Sequence, residues 1–293
     1  MRLGEPPFLS VQGEGNKTGV LTLFVRLFGC NLECGGFKQK CPTDPTTWIL
    51  PQFTDKQYKE TQSLSELPVF EYGCDSGYSW SHIYKHLAKD YTNEQLLDDI
   101  RKIVPTWLHD NTSNQIELCF TGGEPMLQQK KIIDFLEFAF GSCFYSDVSD
   151  YPQTIQVETN GTVPLRQEFF DWFNEKYLST LNWNVSPKLF NVSGEKDAWY
   201  PEVIQSYFNL SNNGHLKFVI DSDTVSWNEL NDKVKRLRDR GVFAPVYVMP
   251  VGSTKEQQTD TNELEKIAIR AIENGYHISG RLQSILFSNK VGT

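Results

Sequence analysis

Three cysteine residues lie close together near the start of the chain. The stretch FGCNLECGGFKQKC, from Phe28 to Cys41, contains Cys30, Cys34 and Cys41, and Cys74 follows after a longer gap. Thiolates at such short spacing commonly bind a metal. Structural zinc uses four closed ligands, often as pairs of nearby cysteines, so these four residues could form a zinc site.

A second interpretation is an iron–sulfur cluster held by only three cysteines. Such a cluster leaves one iron open to an outside ligand. The amino-acid end of S-adenosylmethionine can bind that iron, and one-electron reduction then cleaves the sulfonium to a 5'-deoxyadenosyl radical. The cysteines alone leave the zinc and the cluster interpretations open.

A glycine pair follows a predicted strand in the stretch CFTGGEP, from Cys119 to Pro125. Two consecutive glycines let the backbone lie close to a ligand, and Glu124 can accept hydrogen bonds from an ammonium group. Because Gly-Gly after a strand is most often a simple tight turn, this motif is informative mainly in combination with the cysteines.

Short β-branched and aromatic runs alternate with amphipathic stretches along the chain. The predicted strands are 20–29, 115–123, 154–161, 183–188, 215–221 and 244–252, and the predicted helices are 93–104, 129–139, 226–240 and 261–274. This alternation indicates an α/β fold with a mainly parallel sheet. About six strands are too few for a complete eight-stranded barrel, so we expect a partial (incomplete) TIM-type barrel with its site at the carboxyl ends of the strands.

The segment 35–73 interrupts this alternation and has no clear periodicity. Loops of this length are usually functional or inserted. We therefore predict a single domain over residues 1–293, with an inserted loop region at about 35–73.

Charge and apolar patterning exclude some partners. The net charge of -9 disfavours direct binding to nucleic acid, whose phosphates require clustered Lys and Arg. No apolar run is long enough for a signal peptide or a membrane span, so we expect a cytoplasmic protein with no membrane partner. In a reducing compartment the cysteines are more typical of thiols or metal ligands than of disulfides.

Seven short motifs in series resemble the 7-carboxy-7-deazaguanine synthase family of the radical S-adenosylmethionine superfamily. They are QGEG at 12–15, FVRLFGCNLEC at 24–34, CDS at 74–76, TGGEP at 121–125, ETNG at 158–161, SPK at 186–188 and KFV at 217–219. In the family motif the third cysteine is followed by Asp and a hydroxyl residue, as Cys74 is here and Cys41 is not. The resemblance therefore implies a [4Fe-4S] cluster on Cys30, Cys34 and Cys74.

The same resemblance implies an activity and its cofactors. The family converts 6-carboxy-5,6,7,8-tetrahydropterin to 7-carboxy-7-deazaguanine with loss of ammonia, in 7-deazaguanine and queuosine biosynthesis. The implied cofactors are the cluster, S-adenosylmethionine and Mg2+, the implied electron donor is a flavodoxin or ferredoxin, and the implied assembly is a homodimer. Two alternatives remain: another radical S-adenosylmethionine enzyme, such as a glycyl-radical activase, or a zinc-stabilised non-catalytic homologue.

Site residues follow from their positions in these motifs. The implied catalytic, substrate-binding residues are Gln12, Glu14 and Arg26, and the implied cofactor-binding residues are Gly123, Glu124, Asn160, Ser186 and Lys188. Arg26 would pair with the substrate carboxylate, for which a guanidinium is shaped. Ser76 stands where the family carries Thr, and its hydroxyl would bind Mg2+.

Several positions depart from the family pattern or fall outside it. Cys41 belongs to the insertion, and Cys119 and Cys143 are expected to be incidental thiols. Met249 stands where the family often carries Gln. The residues 281–293 resemble a longer variant of the family's closing strand, and Gln283 or Asn289 are candidates to line the pocket.

Overall fold

One mainly parallel sheet organises the molecule. The structure, a computed structural model, describes residues 1–49, 61–67, 69–107, 115–141, 150–288 and 290. The strands in this part of the chain are β1 (Arg2–Leu3), β2 (Phe8–Val11), β3 (Leu21–Leu27), β4 (Lys89–Asp90), β5 (Glu117–Gly122), β6 (Ile155–Thr159), β7 (Leu181–Val185), β8 (Gly214–Ile220), β9 (Val246–Pro250) and β10 (His277–Ile278). Their spatial order is β10-β9-β8-β7-β6-β5-β3-β1-β4, with β2 beside β3. Strands β3 and β5 to β10 run parallel, whereas β1, β2 and β4 pair antiparallel at one side.

The two faces of the sheet differ in polarity because side chains alternate along each strand. In β8, Leu216, Phe218 and Ile220 are fully buried in the apolar core, whereas His215 and Lys217 alternate with them on the opposite face. Helices pack on the apolar face. The polar face is therefore available for a site.

Helices follow most of the parallel strands. Those in the described ranges are α1 (Asn93–Ile103), α2 (Gln129–Phe140), α3 (Gln167–Trp172), α4 (Phe190–Ser193), α5 (Pro201–Leu210), α6 (Thr224–Asp239), α7 (Lys255–Gln258), α8 (Thr261–Asn274) and α9 (Leu282–Phe287). Helix α1 begins at a capping box formed by Thr92 and Gln95. Helix α8 begins at the capping carboxylate of Asp260 and ends at Gly275, which has a left-handed backbone. Local sequence thus determines where these helices begin and end.

The α/β class and the mainly parallel sheet predicted from the sequence are confirmed. The six predicted strands form as β3 and β5 to β9, and the four predicted helices form as α1, α2, α6 and α8. The pattern does not predict β1, β2, β4 and β10, because strands this short contain too few residues for periodicity to be detected. The single-domain organisation stays a prediction.

The prediction of a closing strand near the C-terminus is wrong for Leu282–Phe287, which form helix α9. Leu282, Ile285 and Leu286 recur at helical spacing. The Ser284 hydroxyl is buried and donates to the Ser253 carbonyl at 2.9 Å, which ties the helix to the loop after β9. Cys143 and Asn289 lie outside the described residues.

A membrane crossing requires a long apolar helix. Within the described ranges, no helix has both the length and the apolar character for it.

Candidate active site

A cavity of about 220 Å³ lies at the carboxyl ends of the parallel strands. Parallel strands end at the same edge of the sheet, so residues far apart in sequence meet there. The expected site residues that line the cavity are Gln12, Glu14, Arg26, Cys30, Cys34, Cys74, Ser76, Gly123, Asn160, Ser186 and Lys188. Met249 and Gln283 also line it.

Glu124 lies behind the cavity wall and is only 1% exposed. Its carboxylate accepts hydrogen bonds from the Thr159 hydroxyl at 2.7 Å and from the backbone N–H groups of Asn160 and Met126 at 2.7 and 3.0 Å. Burial raises the pKa of Glu124, and these hydrogen bonds oppose that shift. In this arrangement Glu124 joins the end of β5 to the end of β6 and holds the glycine turn between them.

Gly123 brings the turn after β5 against the cysteine loop. A Cβ atom at this position would lie 2.1 Å from the Gly29 carbonyl oxygen and 3.1 Å from the Cys30 nitrogen. No side chain fits at such a separation from backbone atoms, so this approach requires glycine.

The cysteines separate into two groups. Cys30, Cys34 and Cys74 lie together in an apolar group, whereas Cys41 is exposed. The other members of the group are Leu32, Phe37 and Ala198. Cys119 is fully buried within β5. The thiol that is distant in sequence, Cys74, therefore joins the first two, and the near one does not.

The backbone around Cys34 is unusual and is held in place. Cys34 has a φ of 50°, in the left-handed region that non-glycine residues seldom adopt. Its N–H donates to the Glu195 carboxylate at 2.5 Å, and the N–H of Glu33 donates to the same oxygen at 2.9 Å. This carboxylate offsets the cost of the turn, on the order of 1–2 kcal/mol, and keeps the Cys34 thiol in the apolar group.

Hydrogen-bond donors lie close to the sulfur atoms. The Leu32 N–H is 3.4 Å from Cys30 Sγ, and Asn160 Nδ2 is 3.9 Å from the same atom. Burial raises the pKa of the Cys30 thiol to about 12 and also raises that of Cys74. Across the described part of the chain, no group of three or more His, Cys, Asp or Glu side chains is gathered closely enough to enclose a single metal ion.

The ends of β6 and β7 form the wall beside the cysteines. Asn160 donates to the Asn31 side-chain carbonyl at 3.1 Å and accepts from the Thr162 backbone N–H at 3.0 Å. Lys188 Nζ folds back and donates to the Ser186 carbonyl at 2.9 Å and to its hydroxyl at 3.1 Å. These polar groups face the cavity next to Cys30.

Gln12 is bound into the floor of the cavity. Its amide nitrogen donates to Gln156 Oε1 at 2.8 Å and to Glu158 Oε1 at 3.0 Å. Glu158 also accepts from the Thr121 hydroxyl at 2.5 Å and from Asn184 Nδ2 at 3.0 Å. Gln12 is 1% exposed, and its hydrogen bonds fix the positions of its amide and of the Glu158 carboxylate.

A chain of charges crosses the cavity from Lys217 to Asp75. The Glu14 carboxylate pairs with Lys217 Nζ through one oxygen and with Arg281 Nε at 2.8 Å through the other, and Arg281 also pairs with Asp75. Burial alone would raise the pKa of Glu14, but Lys217 and Arg281 outweigh it and lower that pKa to about 2. Glu14 is therefore ionised at neutral pH.

The Arg26 side chain is hydrogen-bonded to neighbouring residues in this structure. Its Nε donates to the buried Glu5 carboxylate at 2.5 Å, and Nη1 donates to the Ser76 hydroxyl at 3.3 Å. Its guanidinium also lies 5.9 Å from the centre of the Tyr78 ring. Burial alone would lower the pKa of Arg26, but Tyr78 and Glu5 outweigh it and raise that pKa, so the side chain is a fixed cation.

The sequence interpretation assigned no role to Lys217, Arg281, Glu158 or Glu5, which hold the predicted residues in position. One signal could have found Lys217 and Glu158: each is a charged residue in a strand that also contains fully buried apolar residues, and charges are rare in such strands unless paired. Arg281 and Glu5 carry no such signal, because they lie in irregular segments.

A layer of unpaired polar atoms lies on the same face of the sheet as the cavity floor. Gln156 Nε2, Asn184 Oδ1 and both ring nitrogens of His215 are buried, and they have no hydrogen-bond partner among the described residues. Burial lowers the pKa of His215 to about 3, and the Lys217 charge contributes. This imidazole is neutral at neutral pH.

The fold and the site together define an α/β protein with three cysteines at the rim of a charged cavity. No family model matches the chain. Curated 7-carboxy-7-deazaguanine synthases are similar to it over nearly its whole length. The protein from Hyperthermus butylicus is 25% identical over 95% of this chain and 90% of its own length, and that from Rhodopirellula baltica is 25% identical over 98% and 86%. A solved structure, QueE from Escherichia coli, has a TM-score of 0.50 at 20% identity and covers 94% of this chain and 91% of its own.

These similarities confirm the resemblance that the motifs indicated. They also confirm the prediction of an enzyme, because the relatives are enzymes by name and match this chain almost end to end.

Proposed function

We propose that the protein converts 6-carboxy-5,6,7,8-tetrahydropterin to 7-carboxy-7-deazaguanine with loss of ammonia. One observation carries this proposal. Cys74, which is followed by Asp75 and Ser76, lies with Cys30 and Cys34 at the cavity, whereas Cys41 is exposed. This set of three thiols fits the three-cysteine cluster that the reaction requires.

The residues around the thiols fit a [4Fe-4S] cluster and S-adenosylmethionine. The group around the thiols is apolar, and the Leu32 N–H and Asn160 amide approach Cys30 as donors do around cluster sulfurs. When bound, the cluster would supply the electron that cleaves S-adenosylmethionine. Gly123, with Ser186 and Lys188, would bind the polar ends of S-adenosylmethionine beside it.

The other half of the cavity suits an anionic pterin. Arg26 and Arg281 provide buried cations for the substrate carboxylate, and Glu14 provides acceptor oxygens for its amino edge. Binding there would exchange an internal ion pair for a pair with substrate. Ser76 with Asp75 supplies hard oxygen atoms next to Cys74, which is the chemistry that Mg2+ prefers.

The remaining expectations are part of the same proposal. The parallel sheet would curve into an incomplete barrel around the cavity. The protein would form a homodimer, and the exposed apolar residues available for such an interface include Ile269, Ile272, Ile278, Ile285 and Leu286. A flavodoxin or ferredoxin would donate the electron, and the enzyme would act in the cytoplasm.

The ligand assignment is tested by exchanging the third thiol. After anaerobic reconstitution with iron and sulfide, the wild-type protein and Cys41→Ala should bind a cluster, visible as a brown charge-transfer absorbance, and Cys74→Ala should not. Loss of the cluster in Cys41→Ala, with retention in Cys74→Ala, would contradict the assignment. A colourless wild-type protein that binds zinc instead would support the zinc alternative.

The reaction is tested separately. With the carboxytetrahydropterin, S-adenosylmethionine, a reductant and Mg2+, mass spectrometry should detect the deazaguanine acid. Formation of 5'-deoxyadenosine without that product would favour another radical enzyme, such as a glycyl-radical activase.

A further inference from the structure

A long insertion lies between Cys34 and Cys74. We propose that its described parts at 35–49 and 69–73, called the insert below, form an apolar wall beside the three cysteines and control how long a bound iron–sulfur cluster survives. This inference rests on the proposed function. It concerns the lifetime of the cluster rather than its presence.

The first part of the insert contacts the C-terminal end of helix α4. The Gly36 N–H donates to the Ser193 carbonyl at 2.9 Å. Trp48 packs against two glycines, because a Cβ at Gly35 would lie 2.3 Å from its ring and a Cβ at Gly194 would lie 2.6 Å from it. Its Nε1 donates to the Pro42 carbonyl at 3.1 Å. The Trp48 ring therefore packs the insert against the turn at Gly194.

The last part of the insert is attached at two further places. The Gly73 N–H donates to the Phe37 carbonyl at 2.9 Å, which joins the end of the insert to its beginning directly before Cys74. The Ser253 hydroxyl, in the loop after β9, donates to the Phe70 carbonyl. These contacts hold the beginning and the end of the insert at the cavity.

Apolar side chains of the insert lie beside the thiols. Phe37 packs against the apolar group that contains Cys34 and Cys74. Phe37 and Phe70 both line the cavity, and Phe70 also stacks on Tyr78 with ring centres 6.4 Å apart. The insert therefore supplies an apolar surface beside the sulfur atoms.

An apolar wall has a defined physical effect on such a site. The hydrophobic shell around a metal centre controls access of solvent and of dissolved oxidants. Opening the shell should accelerate loss of the cluster without removing any of its three ligands. A spectroscopic lifetime thus separates a protective role from a ligand role.

Four variants of the reconstituted full chain test the inference. Phe37→Ser replaces an apolar side chain of the wall with a small polar one, and Phe37→Leu keeps that position apolar. Trp48→Ala removes the ring that packs against Gly35 and Gly194. Ile49→Ser changes an exposed side chain of the insert and is the matched control. Iron and sulfide per chain are measured first, and then the bleaching of the cluster absorbance in air-saturated buffer. We expect Phe37→Ser and Trp48→Ala to bleach on the order of tenfold faster than wild type, and Phe37→Leu and Ile49→Ser to match wild type.

A second measurement covers a variant that fails to assemble a cluster. In the cluster-free proteins, alkylation of Cys34 and Cys74 by iodoacetamide is followed by mass spectrometry, and it should be faster in Phe37→Ser than in wild type or Ile49→Ser. Equal bleaching and equal alkylation rates in Phe37→Ser and wild type overturn the inference while leaving the proposed function intact. Absence of any cluster in the wild-type protein overturns both.

Discussion

Replacing Glu14 by Gln should destabilise the protein by about 3 kcal/mol at neutral pH. The Glu14 carboxylate lies between Lys217 and Arg281, and its side chain is only 15% exposed. The substitution keeps the size of the side chain and removes its charge. Arg281 keeps Asp75 as a partner, whereas Lys217 loses its only direct ion pair among the described residues.

The magnitude follows from the pKa of Glu14, which falls from an ordinary value of 4.5 to about 2 in the folded protein. Each pKa unit corresponds to about 1.4 kcal/mol, so the shift is worth about 3 kcal/mol. Removing one partner of a buried ion pair typically costs about 3–5 kcal/mol, which agrees. Because the folded pKa is lowered, the contribution is complete above about pH 4.5 and is lost as the pH falls towards 2.

The free energy of unfolding is measured by urea titration, followed by tryptophan fluorescence, at neutral pH and at a series of acidic pH values. Asp239→Asn serves as the control, since its ion pair with Lys235 is 61% and 73% exposed and should contribute less than about 0.5 kcal/mol. A loss below about 1 kcal/mol for Glu14→Gln, as for a surface pair, would refute the reasoning. So would an acid dependence that is the same in wild type and variant.

Three further predictions follow from buried positions. Gly123→Ala should prevent cluster binding, measured as iron per chain, because its Cβ would lie 2.1 Å from the Gly29 carbonyl oxygen; Gly280→Ala, with open space around it, should bind normally. His215 has a pKa of about 3 instead of 6.5, so below pH 6.5 the unfolded chain takes up a proton that the folded chain does not, and stability falls by about 1.4 kcal/mol per pH unit. Between pH 7 and pH 5 wild type should thus lose about 2 kcal/mol more than His215→Leu in urea titrations, and equal losses would contradict the buried neutral imidazole. Cys119→Ala should bind a full complement of iron and lose about 1 kcal/mol of stability, and loss of iron would identify Cys119 as a ligand.

Much of the scaffold could be predicted because local physics determines it. The alternation of apolar and polar side chains in β8, and the helical spacing between the caps of α8, are properties of short segments. The order of the motifs also predicted which residues meet, since parallel strands end at one edge. Gln12, Arg26, Ser186 and Lys188 accordingly line one cavity.

The direction of each side chain, and its partner, depended on the tertiary structure. The sequence suggested that the Glu124 carboxylate is free to accept hydrogen bonds from a ligand. In the folded chain this carboxylate instead accepts hydrogen bonds from Thr159 and Asn160, behind the cavity wall. Arg281, near the end of the chain, reaches Glu14 near the beginning. Such pairs join segments with no common periodicity, so no local pattern specifies them.

The cysteines show the same division between what the sequence determined and what the tertiary structure determined. The sequence by itself determined that Cys30 and Cys34 are close along the chain, and the family resemblance, through the residues after Cys74, implied Cys74 as their partner. Only the tertiary structure brought Cys74 back to them, through contacts of the insert with the end of helix α4 and with the loop after β9. Closing a loop of this length costs conformational entropy, and contacts within the local sequence cannot offset that cost. Packing between segments that are distant in sequence therefore determines where Cys74 lies.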